Sequence, residues 1–191
     1  MIVVKNKADC CGCTACYSVC PKKAISMQQD QEGFLYPFVE ISKCIDCKLC
    51  DSACPIENKI ESKMFDRKAY VLRAKDVEIV STSTSGGFVT PLGEWILNQG
   101  GVICGATYNE EYKVIHKISG GAEEFRGSKY VQSDLGDCFS EIKKHLMQET
   151  KVCFIGTPCQ VYGLKSYLRK EYDNLVLSLI HISEPTRLQL I

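Results

Sequence analysis

The chain has 191 residues, 45% of them hydrophobic, and its 23 basic side chains balance 23 acidic ones to a formal net charge of zero. That length accommodates two small domains around ordinary hydrophobic cores. Balanced charge without a basic stripe argues against nucleic acid as a partner, and the lack of any apolar run near the roughly 18 to 20 residues that span a bilayer argues against direct membrane insertion.

The opening Met1–Lys5 stretch is too short for a signal peptide, and the odd total of 13 cysteines does not suit a disulfide framework, so a reduced, cytoplasmic protein is expected. Eight of those cysteines form two runs of one spacing, Cys10-x2-Cys13-x2-Cys16-x3-Cys20-Pro21 and Cys44-x2-Cys47-x2-Cys50-x3-Cys54-Pro55. Zinc sites pair two Cys-x2-Cys elements across a longer gap, whereas three cysteines at intervals of three with a fourth before proline suit a 4Fe-4S cube. In two-cluster chains of this type the cysteine before proline ligates the other cluster. Cys10, Cys13, Cys16 and Cys54 are therefore assigned to the first cluster, and Cys44, Cys47, Cys50 and Cys20 to the second. The second run begins 34 residues after the first, as in a duplicated unit that gains most of its folding energy from metal. Cys11, beside a ligand, is read as structural.

Between the runs, Ala24–Met27 and Gly33–Glu40 read as short strands around a polar turn, with Pro37 marking an edge. Phe34, Tyr36 and Phe38 alternate onto one face and are expected to pack against the clusters. The polar stretch from Ile56 to Arg67 reads as a linker.

Beyond it, Lys68–Lys75 reads as a strand and Asp76–Val80 as the start of a short helix. The hydroxyl- and glycine-rich Ser81–Gly87 loop opens a helix over Phe88–Leu97 whose apolar face is Phe88, Leu92, Trp95 and Ile96. Such a loop offers free N–H groups to an anion, although it matches neither standard phosphate-binding fingerprint. Gly101–Tyr108 and Tyr112–Ile118 read as a hairpin, with His116 alternating outward as a structural residue. Asp134 is the expected N-cap of a helix over Leu135–Gln148 whose Cys138, Phe139, Ile142 and Leu146 face inward. Lys151–Gly156 reads as a buried strand, Pro158–Lys170 as a helix and Asn174–Ile180 as a strand, a parallel βαβ core. Cys104, Cys138 and Cys153 are expected in the core. The fold class is thus an α+β ferredoxin-like two-cluster head followed by a partial α/β domain with a mostly parallel sheet.

The segments Thr84–Phe88, Gly127–Ser133 and Gly156–Gln160, in that order after the cysteine-rich head, resemble the family of coenzyme F-420 hydrogenase and dehydrogenase beta subunits. The resemblance implies an iron–sulfur flavoprotein in which FAD or FMN exchanges hydride with a deazaflavin or another small-molecule hydride carrier. Electrons then pass through the clusters to a redox partner protein or another oxidoreductase subunit. It assigns Ser85, Gly86, Gly87, Lys129, Tyr130, Gln132, Thr157 and Cys159 to cofactor binding. Cys159, at a helix start where a thiol pKa is lowered, becomes a candidate redox thiol or ligand of an additional 4Fe-4S cluster. The expected domains are 1–60 for the clusters and 61–180 for flavin. His181–Ile191 departs from the family and resembles translated adapter sequence, so 181–191 is expected to be a non-native tail. The alternative function is a ferredoxin-type carrier whose α/β part docks a partner enzyme.

Overall fold

The computed structural model describes residues 1–58 and 68–179. Most of the expected linker and the whole 181–191 tail lie outside them.

The two cysteine runs adopt the same backbone. In each, a residue with positive φ, Thr14 at 59° or Lys48 at 60°, leads into a five-residue helix, α1 (Ala15–Val19) or α2 (Leu49–Ala53). Each helix ends at the cysteine before proline, which turns extended because the proline ring crowds a helical conformation there. Between them β1 (Ile25–Gln29) and β2 (Leu35–Val39) pair antiparallel with Met27 opposite Pro37. A two-stranded sheet has only edges, so the missing proline N–H is tolerated.

The expectation for the aromatic face is corrected. Ile25 and Val39 pack toward cysteines, whereas Phe34 and Phe38 are about half exposed and Tyr36 lies under the Lys7 ammonium. Strand alternation puts the aromatics on the face away from the cysteines.

Residues 68–179 build a sheet of order β4-β3-β5-β6. Its strands are β3 (Val102–Tyr108), β4 (Val114–Ser119), β5 (Val152–Gly156) and β6 (Leu175–Leu179), with helices α3 (Val77–Ser81), α4 (Val89–Leu97), α5 (Cys138–Met147) and α6 (Pro158–Leu168). β3, β5 and β6 are parallel and β4 is an antiparallel edge, a mostly parallel α/β sheet. Every residue of β5 is buried, and its alternation divides the core. Val152 and Phe154 meet α5 and α6 on one face, while Cys153 and Ile155 meet Ile96 of α4 on the other. Cys13 and Ala15 of the head join the α5/α6 side, so α1 shares that core.

Three expectations are revised. Lys68–Lys75 is not a strand: Tyr70, Val71 and Leu72 are exposed, and the segment meets the next loop through an Ala74 N–H bond to Gly86 O rather than a ladder. On α4, Phe88 and Trp95 are about half exposed, and the buried face is Thr90, Gly93 and Ile96. Gly93 sets that rotation, because a Cβ there would stand 2.6 Å from Ala122 and 2.7 Å from Ile103. The fifth helix starts at Cys138 behind Asp137, while Asp134 instead bridges to Ile115. Its Cys138, Phe139, Ile142 and Leu146 stripe is buried as expected, as are Cys104 and Cys153.

Candidate metal centre and adjoining loops

The eight cysteines divide between two cavities, each drawing on both runs. Cys10, Cys13, Cys16 and Cys54 line one, together with Cys11 and the apolar Ile2, Met27 and Pro37. Cys20, Cys44, Cys47 and Cys50 line the other, beside Ala24, Ile25 and Val39. The short helices and the proline corners produce this exchange, since each carries its last cysteine past its own cavity toward the neighbour's.

The donor set suits iron–sulfur cubes. Soft thiols surround each cavity, and backbone amides aim at sulfur, Ile2 N–H at Cys50 Sγ (3.2 Å) and Ala24 N–H at Cys20 Sγ (3.3 Å). Among the described residues no three Cys, His, Asp or Glu side chains close on a single-ion position. Burial pushes the Cys16 thiol up to about 12 and raises those of Cys10 and Cys50, so iron must supply the charge that displaces their protons.

Sequence reasoning missed what lies behind the first cavity. Cys11 and Cys159 hydrogen-bond to each other, and Cys11 also to Cys13, across the contact between head and α6. The expected low Cys159 pKa is corrected: the contact with Cys11 and burial push the thiol up, while Thr157 Oγ1, 3.1 Å away, opposes them more weakly. Cys11 is pushed up to about 12, first by its bond to Cys13. One turn on, Gly163 meets Cys13 so closely that a Cβ there would lie 2.9 Å from the Cys13 Cβ.

His116 is also corrected, because it points inward and is buried. Its Nε2 lies 3.0 Å from Ile155 O and must carry the proton, so Nδ1 accepts from the Ser133 hydroxyl at 2.8 Å. Ser133 accepts in turn from Gln160 Nε2 (2.8 Å), and Gln160 Oε1 accepts the Thr157 N–H (3.0 Å). Adjacent Gln132 donates to Cys11 O at 3.1 Å. Residues 132 and 133 thus tie the head to the Thr157–Cys159 turn. No spacing rule links positions 116, 133 and 160, and only the preference of buried polar groups for partners pointed toward such a network.

The remaining candidates do not converge on one site. Ser85 and Gly87 line a third cavity with Ser83, Thr84, Arg126 and Ser128, while Gly86 is pressed against Leu72 O. Arg126 donates to the hydroxyls of Thr90 (3.0 Å) and Thr82 (3.1 Å), leaving its charge unneutralised by those bonds. Lys129 turns onto Arg126 O at 2.8 Å, and burial lowers its pKa. Tyr130 is exposed.

Residues 9–58 match the family described as the 4Fe-4S dicluster domain. Over 182 residues, 88% of this chain, the sequence is 25% identical to the F-type subunit of the F(420)H(2) dehydrogenase of Methanosarcina mazei, covering 51% of that protein. Over 53 residues, 28% of this chain, it is 34% identical to an uncharacterized ferredoxin of Methanocaldococcus jannaschii, covering 68% of it. Over 60 residues, 29% of this chain, it is 37% identical to NADH-quinone oxidoreductase subunit I 2 of Geobacter metallireducens, covering 46% of it. The chain therefore spans about half the length of two of these relatives. Through residues 9–58 the chain belongs to the ferredoxins with a 4Fe-4S dicluster domain, and along most of its length it is similar to an iron–sulfur subunit of an F420H2 dehydrogenase.

Proposed function

We propose that the chain is the iron–sulfur electron-transfer subunit of a flavin-dependent oxidoreductase. Cys10, Cys13, Cys16 and Cys54 hold one 4Fe-4S cluster, and Cys44, Cys47, Cys50 and Cys20 hold the other. The observation that carries this reading is the division of the eight thiols into two cavities, each drawing on both runs. When bound, the clusters supply one-electron transfer and a flavin supplies the exchange between hydride and single electrons.

The chain's own residues keep the two parts in register. Gly163 lets α6 lie directly against Cys13, and Gln132 and Ser133 fasten the head and the Thr157 turn to one loop. The third cavity supports a site for the phosphate of FAD or FMN, because hydroxyls of Ser83, Thr84 and Ser85 and the Arg126 guanidinium are groups that bind such an anion. Cys159 fits a thiol contact between the parts better than an additional cluster, since outside the eight only Cys11 meets it there among the described residues. The similarity to a protein named as part of an F(420)H(2) dehydrogenase supports a deazaflavin or related hydride carrier as substrate. The two relatives named as oxidoreductase subunits support a redox partner protein. Cysteines left unpaired throughout support a reducing, cytoplasmic setting. Among the described residues no helix is long and apolar enough to cross a membrane.

Anaerobic purification followed by metal and flavin analysis tests the reading. About eight iron and eight sulfide per chain are expected, as two cubes require, and zinc in their place would overturn it. If iron is present but FAD and FMN never bind, the carrier with a docking module is the correct function.

A further inference from the structure

The two cysteine runs share one backbone but differ at one position. Thr14 and Lys48 each stand between the second and third cysteines of a run, and both adopt the left-handed conformation at nearly the same angles, φ 59° and ψ 4° against φ 60° and ψ 12°. Lys48 lies on the surface at the rim of the second cavity. Thr14 is 2% exposed and lines the first. Its hydroxyl has no hydrogen-bond partner among the described residues, and it does not cap α1, the helix it precedes.

A buried hydroxyl without a partner loses the full free energy of its bonds to water, about 1–3 kcal/mol. A left-handed conformation at a β-branched residue adds further cost. Glycine or alanine would avoid the first of these penalties. The groups facing this cavity are thiols and apolar side chains together with a few charged groups on its rim, and the carbonyls of the surrounding backbone do not take the proton.

We propose that Thr14 Oγ1 donates a hydrogen bond to a sulfur of the cluster held by Cys10, Cys13, Cys16 and Cys54, and that this bond raises that cluster's reduction potential. The inference rests on the two-cluster reading above. A donor to cluster sulfur stabilises the reduced, more negative state, so its removal lowers the potential. Lys48 leaves the equivalent sulfur of the second cluster facing an exposed stem and water. The duplicated sequence thereby distinguishes two chemically identical ligand sets with one side chain, the donor lying on the cluster whose ligand Cys13 packs against α6.

The test is a potentiometric titration, followed by electron paramagnetic resonance, of the full chain reconstituted anaerobically with iron and sulfide. Thr14→Val keeps the shape and removes the donor; it is expected to move the midpoint of one cluster to a more negative value and leave the other in place. Thr14→Ser is expected to restore it. A Val variant with both midpoints unchanged overturns the inference, as does a Ser variant that behaves like Val. Should Val prevent iron uptake, Thr14→Ala compared with Thr14→Ser reads the same difference with smaller side chains, and equal midpoints in that pair overturn it equally. Iron and sulfide are counted in each sample first: a wild-type chain without two cubes defeats the two-cluster reading, whereas a loaded chain indifferent to residue 14 defeats only the role of Thr14.

Discussion

Residues 1–58 consist of two five-residue helices, a two-stranded sheet and connecting turns, and among them Ile2 and Ile25 are the only large aliphatic side chains that are buried. Residues 68–179 bury Phe139, Phe154, Ile96, Ile103, Ile142, Ile155 and Leu164 around a four-stranded sheet. The second region has a core of the usual kind, each such side chain contributing roughly 1.5–3 kcal/mol. The first has thiols where a core would be, and helices of that length are not stable on their own. Duplication brings four sulfurs round each of two cavities, and metal takes the place of apolar burial.

The contrast can be broken most directly by taking the metal away. Structural metal in small thiolate sites is worth on the order of 10 kcal/mol to folding, more than a region this size holds in reserve. Anaerobic chelation of iron is expected to abolish amide-exchange protection in 1–58 while β5 and α5 keep theirs. Equal loss in both regions would mean that the shared α1 contact makes them one cooperative unit.

A single core truncation works in the opposite direction. Phe154 is fully buried between Phe139 and His116, with ring centroids 6.0 and 5.4 Å away. Phe154→Ala is expected to cost the α/β region about 3–5 kcal/mol, seen as a lower urea midpoint for that region, with cluster absorbance retained at low urea. Cluster loss without urea would show that the head depends on the α/β core.

A subtler effect comes from His116. Burial holds its pKa down to about 4 from an ordinary 6.5. Between those values the unfolded chain binds a proton that the folded chain refuses, so stability is full above about 6.5 and falls as pH drops toward 4, by about 1.4 kcal/mol per unit. The difference in urea stability of the α/β region between pH 7 and pH 5 is expected to shrink by about 2 kcal/mol in His116→Gln. An unchanged difference would assign the acid sensitivity to other groups.

The same division explains what could be read from residues alone. Cysteine spacing is local, so both runs, the hairpins and the Cys138, Phe139, Ile142, Leu146 stripe were legible. Lys68–Lys75 has strand composition but no ladder partner among the described residues, and partnering is a tertiary property that propensity does not carry. The buried face of α4 depends on Gly93 meeting Ala122, a contact across 29 positions of sequence. Cys11 looked incidental because its partner, Cys159, lies in the other region, and His116 looked outward-facing because its partners come from β5 and the loop before α5. Thr14 stood out only once its burial was known.

The central claim is that each set of four thiols draws on both runs, and iron content in paired variants tests it. Cys10→Ala combined with Cys54→Ala removes two ligands from one proposed cluster and should leave the other whole, with about four iron per chain and one unaltered cubane spectrum. Cys10→Ala combined with Cys20→Ala touches both clusters and should leave no unaltered cubane spectrum. The reverse outcome, a whole cluster surviving in the Cys10/Cys20 pair and none in the Cys10/Cys54 pair, would show that each run holds its own cluster and would contradict the account.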